Sequence, residues 1–148
     1  MKKISRRARP HSITLYNYLS TTDGVAAYQR TLIERVYLDL SYAQRLSQRG
    51  IATADSCRLI LDLRDINASC GRTFLDQKIW RQLSADEKNY HFTFATGNDF
   101  FVAGEAEENL PSAIKAQIVA KHQCFGISAV AVLEVIGGEA VIVEVTGK

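Results

Sequence analysis

Two apolar runs, "ISAVAVLEVI" and "EAVIVEV", flank the pair Gly137-Gly138. Both runs are dense in β-branched residues and contain no internal glycine or proline. The glycine pair supplies the positive φ angles that a two-residue hairpin turn requires. The chain therefore ends in an antiparallel hairpin. A lone hairpin is marginal in water, so this one needs further strands or a helix to cover its apolar face.

Upstream segments supply candidates. "SITLYNYLS" alternates from Ile13 and reads as a strand, and Asp23-Gly24 in "TTDG" is turn chemistry. "YQRTLIERVYLDLSYAQ" fits a helical stripe at Leu32, Val36 and Leu40, but its β-branched and aromatic density favours a strand. "RGIATAD" at 49–55 is a loop. "SCRLILDLRD" places Cys57, Leu59, Leu61 and Leu63 on one side of a further strand.

"FLDQKIWRQLS" predicts a short helix with Ile79, Trp80 and Leu83 inward. Ser84 and Glu87 have the spacing of a capping box. "HFTFATGNDFFVAGE", His91 to Glu105, predicts a hairpin with Phe92 and Phe94 on one arm and Phe100 and Phe101 on the other. Gly97-Asn98 would form its turn. Residues 109–122 predict a helix, with Pro111 in the first turn and Ile114 and Ile118 as an apolar stripe.

About six strands and one or two short helices point to a mainly β fold, a small antiparallel barrel or sandwich. No repeat occurs at a period of roughly 20 to 50 residues. At 148 residues, 47% hydrophobic and 23% charged, the expected organisation is one β-rich domain over 12–148 behind an N-terminal arm, 1–11.

That arm carries Lys2, Lys3, Arg6, Arg7 and Arg9 and no acid, while the whole chain is only +2. The remainder is thus mildly acidic. A flexible basic arm suits nonspecific contact with a nucleic-acid backbone, docking on an acidic protein surface, or plain solubilisation. No apolar stretch follows the early cations, so no signal peptide is expected. No run approaches about 18 apolar residues, so no membrane span is expected. Three scattered cysteines, Cys57, Cys70 and Cys124, suit a reducing compartment.

Chemistry is sparse. Neither a dinucleotide fingerprint nor a phosphate loop is present. His122 and Cys124 are an incomplete metal set, and His11, His91, Cys57 and Cys70 add no recognisable spacing. No nucleophile elbow occurs. Asp55, Asp62 and Asp65 lie near arginines and read as surface ion pairs, and Glu105, Glu107 and Glu108 as a solvated loop. No catalytic, cofactor-binding or metal residue is assigned, and the expectation is a protein that is not an enzyme.

Several short motifs resemble a known group. Thr14 to Asn17, Tyr28 to Thr31, Val36-Tyr37, Ala54-Asp55, Trp80, Leu83, Glu87-Lys88, Phe92 to Phe94, Gly97 and Val102 to Glu105 follow its order, and the chain closes near a Gly-Lys. The group is the small structural proteins encoded among the head–tail joining genes of tailed phages and prophages. The likeness spans 12 to 148 and is weaker over 106–135.

The resemblance implies a head-closure or connector protein of the virion neck, made in the host cytoplasm. It would be a homo-oligomeric ring between portal or adaptor and tail proteins, around the DNA channel. It implies no cofactor and no membrane. Phe92, Phe94, Phe100 and Phe101 would then fill the barrel or a subunit interface. A tail terminator or other tail-end ring protein, and a nucleic-acid-binding module using the arm, remain as alternatives.

Overall fold

The computed structural model describes residue 7 and residues 9–40, 56–107 and 115–148. The loop read at 49–55, with Asp55, lies outside these residues, as do Glu108, Pro111 and Ile114.

The fold is mainly β. Strands β1 (His11–Thr22) and β2 (Val25–Asp39) form one long hairpin, and β8 (Cys124–Ile136) and β9 (Glu139–Gly147) form another. Both turns have two residues with positive φ, 52° and 76° at Asp23-Gly24 and 60° and 81° at Gly137-Gly138. That is the turn whose twist matches paired strands, which explains why these positions carry Asp-Gly and Gly-Gly.

Strands β3 (Cys57–Asp62) and β7 (Phe100–Ala103) link the two hairpins. β7 lies between β1 and β8, and β3 lies between β9 and β2. Every pairing around this circuit, β1-β7-β8-β9-β3-β2 and back to β1, is antiparallel. The result is a small barrel with a short strand β4 (Asn67–Ala68) added on β2. β1 and β8 run in the same direction, so both hairpin turns emerge at the same end.

The alternation read in β3 places Cys57, Leu59 and Leu61 in the core, where Ile13, Leu15, Ile33, Phe101, Phe125, Val143 and Val145 join them. Burial of such side chains stabilises by roughly 1.5–3 kcal/mol each. "YQRTLIERVYLD" is strand, as its β-branched density favours. Its one irregularity is a bulge at Arg35, whose φ is 63°.

Residues 66–92 form a cap beside the barrel. After β4 and a 3-10 turn (Ser69–Gly71), β5 (Thr73–Phe74) pairs parallel with β6 (His91–Phe92). Helices α1 (Gln77–Trp80) and α2 (Ala85–Lys88) lie between them, capped by Asp76 and by the Ser84/Glu87 box. Trp80 is buried, but Ile79, expected inward, is 50% exposed. The reason is length: one turn of helix presents only a narrow inward face. The third helix, α3 (Lys115–Lys121), seats Ile118 against Tyr16, Phe100, Val102 and Ala106.

The hairpin expected across His91 to Glu105 does not form. β6 pairs with β5 in the cap, and β7 enters the barrel wall. Phe92 and Phe94 cross the boundary as an aromatic cluster with Phe74, with centroids 5.9–6.4 Å apart. Phe101 packs on Phe125 at 5.5 Å, and Phe100 stacks on Tyr16 at 4.9 Å. All four predicted aromatics are therefore buried within one subunit.

Candidate assembly interface

Two expectations about charge change with the structure in view. Arg9 was grouped with the mobile arm. It is 2% exposed, with its guanidinium 2.9 Å from the Asp65 carboxylate and donating to the Arg35 carbonyl. The bulge at Arg35 presents that carbonyl, and Arg35 itself reaches Asp65 at 3.5 Å. The ordered body thus starts before His11, the first residue of β1. Arg7 is exposed, and Lys2, Lys3 and Arg6 lie outside the described residues.

Asp62, read as a surface ion pair, is fully buried, held by the Arg64 guanidinium at 2.9 and 3.1 Å. The carboxylate in turn raises the Arg64 pKa. Glu105 and Glu107 are exposed as expected.

Sequence reasoning missed a buried polar knot under the turn at 95–99. Asp99 accepts from the Tyr18 amide at 2.8 Å, from Asn17 Nδ2 at 2.9 Å and from the Ala95 amide at 3.0 Å. Asn17 Nδ2 also donates to the Thr93 carbonyl at 2.6 Å. Burial pushes the Asp99 carboxyl above its ordinary pKa, and the three donors hold that rise back. The only sequence signal was the polar pair Asn98-Asp99 between aromatics.

The cysteines occupy three environments: Cys57 buried, Cys124 half-buried and Cys70 exposed. Burial pushes the Cys57 thiol up to about 12. No cluster of three or more metal-ligating side chains occurs among the described residues, and no described helix is long and apolar enough to cross a membrane.

The feature most able to engage a partner is β8. β7 pairs with it only at Cys124, Phe125 and Gly126. From Ser128 to Ile136 its edge away from β9 is paired with no described strand. Nine residues make roughly 30 Å of open backbone. The segment reads Ser-Ala-Val-Ala-Val-Leu-Glu-Val-Ile, with one charge and no proline. Val132, Leu133, Val135 and Ile136 are 46%, 52%, 56% and 49% exposed. Charged side chains, proline or a covering element usually protect such an edge. Glu134 alone serves that role here among the described residues.

Beside the hairpin lies a groove of about 900 Å³. β3 ends at Asp62 and the chain turns away to β4, so the wall opens between β9 and the cap. Val132 and Val135 line one side, and Ile66, Phe74 and Ile79 the other.

Comparison with known proteins adds one match. No curated protein and no solved structure matches the chain. Residues 9–139 match the model of a family of unknown function, DUF6751. That span runs from the buried Arg9 to the start of β9, and the chain belongs to this family.

Proposed function

We propose that the protein is a structural subunit of the tailed-phage neck, of the head-closure or connector type, that assembles into a homo-oligomeric ring between portal and tail. The observation that carries this reading is the β8 edge from Ser128 to Ile136, long, charge-poor and open among the described residues. A strand edge of this kind offers unsatisfied backbone donors and acceptors to another chain, with apolar side chains on both faces to bury. Identical subunits that meet through unlike patches close into rings when the rotation permits.

The phage assignment rests on the motif likeness alone, and several of the residues that carry it hold the barrel together. Thr14 Oγ1 accepts from the Ala106 amide and donates to the Gly104 carbonyl, and Asn17 joins β1 to Asp99.

Light scattering across a concentration series tests the reading. A discrete ring, formed alone or on adding portal or tail-side neck proteins, is the expected result. A monomer that ignores neck proteins and binds DNA with a steep salt dependence would replace this reading with a nucleic-acid module.

A further inference from the structure

We infer that the β8–β9 tip is a lid hinged at its own base, poised to swing onto the cap of the same subunit and close the groove. Little else holds the tip. Among the described residues, β9 makes its last backbone bond outside the hairpin at the Val141 carbonyl, which accepts from the Leu63 amide at 2.8 Å. The β8 edge away from β9 is open from Ser128 onward. Beyond Val141 the hairpin is therefore a two-stranded arm, paired on neither outer edge among the described residues. Two strands alone are marginal in water. The base of the arm has the irregularity that a hinge needs. β8 slips register against β9 between Val132 and Glu134 and again between Glu134 and Val135. Bulges of this kind bend a strand and disrupt its ladder locally.

The two walls of the groove suit each other. Val132, Val135 and Ala140 line it from the hairpin, and Ile66, Phe74 and Ile79 from the other side. Val135 is 56% and Ile79 50% exposed, so closure would take apolar surface on both walls out of water. Charge acts in the same direction. Glu139 on the tip and Arg72 on the cap both line the groove, and neither forms an ion pair among the described residues. Arg72 donates from Nε to the Asn89 carbonyl, and from Nη1 to the Arg30 carbonyl and Thr31 Oγ1. These neutral oxygens fix the guanidinium without cancelling its charge, and a closing tip would carry Glu139 toward it. At the base of the tip, Asp62 raises the Arg64 pKa most and the charge of Glu134 adds to it, so hairpin and wall already attract. An open tip presents the apolar walls to solvent or to another chain, and a closed tip withdraws them.

The test is a distance measured by pulsed EPR in the full-length protein. One nitroxide label sits at Ile136→Cys, on the tip but outside the groove, and the other at Lys78→Cys, on α1; both native side chains are exposed. Cys70→Ser and Cys124→Ser remove the accessible native thiols, and buried Cys57 stays. An excess of unlabelled protein suppresses distances between copies. Beside the separation seen in the structure, a shorter one should appear. Glu139→Lys removes the attraction to Arg72, and Ile79→Asp spoils the apolar landing site. Each should deplete the shorter population. Glu139 and Ile79 are exposed, so both variants should fold, which circular dichroism checks. Should Ile79→Asp fail to fold, Glu139→Lys decides alone.

A single population at the separation of the structure would overturn the lid. So would a shorter population that neither substitution reduces, since an arm that merely frays reaches short distances without using either wall contact. Closure lies within one subunit, so either result leaves the ring reading standing.

Discussion

Asn17 donates its side-chain amide to the Asp99 carboxylate at 2.9 Å, tying β1 to a turn 82 residues away. Asp99 is thereby the acceptor for three N–H groups, two of them on backbone. Asp99→Asn keeps the shape but turns an N–H₂ toward donors. At least one buried donor is then left unpaired, a cost of about 1–3 kcal/mol. Urea unfolding should show a lower midpoint with an unchanged slope.

The same carboxyl gives a pH signature. Its pKa in the folded protein is raised above the ordinary 3.8, mainly through burial. The folded state therefore holds the proton more tightly than the unfolded chain. Its contribution to stability is largest below pH 3.8 and is lost as pH rises through the folded pKa. Other carboxylates titrate nearby, so the difference between wild type and Asp99→Asn is the quantity to measure. Stability of the wild type relative to the variant should fall with rising pH across that window and then level off.

These residues show what could be read in advance. Asp23-Gly24, Gly137-Gly138 and the Ser84/Glu87 box are settled within a few residues, so local sequence announces them. The alternation of Cys57, Leu59 and Leu61 announces a strand with one buried face. The partners of the segment at 91–105 are distant. Phe92 lies opposite Phe74, and Phe101 lies opposite both Leu15 and Phe125. Gly97 announces a turn but not whether the strands beside it pair. Asp99 and Arg9 were illegible for the same reason, since their partners Asn17 and Asp65 are brought up only by the closed barrel. The open β8 edge was hidden as well. A hairpin pattern fixes one neighbour of a strand and is silent about the other.

Arg9 provides a prediction that separates body from arm. Arg9→Ala removes the closer cation from Asp65 and a donor from the Arg35 carbonyl. Breaking a buried pair from one side costs about 3–5 kcal/mol, and the remaining Arg35 contact should hold the loss near the lower end. A double-mutant cycle with Asp65→Asn, read by chemical denaturation, should show strong coupling. Additive losses would mean that the pair is incidental.

The cysteines should separate by reactivity. At pH 8 a thiol reagent should modify exposed Cys70 rapidly and half-buried Cys124 more slowly. Cys57 should stay silent until the protein unfolds, since it is enclosed and its thiolate is suppressed. Mass spectrometry of timed samples distinguishes the three. Early labelling of Cys57 would show that the β3–β9 seam opens readily.

Gly147, the last residue of β9, lies opposite both Cys57 on β3 and Ile127 on β8. A methyl group there would sit 2.6 Å from Cys57 Sγ, 2.8 Å from Phe125 Cβ and 2.9 Å from Phe101 Cζ. The Phe125 contact is adjacent to backbone and cannot swing aside, so β8 and β9 must part. Overpacking of a close-packed core costs about 1–3 kcal/mol, and this crowding on three sides favours the upper end. Gly147→Ala should thus lower the Tm by several degrees, at about 2–4 °C per kcal/mol for a chain of this size. Gly126→Ala is the control, because its new methyl group meets only the Lys148 carbonyl at an ordinary 3.6 Å. There the loss of chain entropy in the unfolded state should leave stability equal or higher by up to about 1 kcal/mol. Equal effects from the two substitutions would show that crowding at the seam does not require glycine at 147.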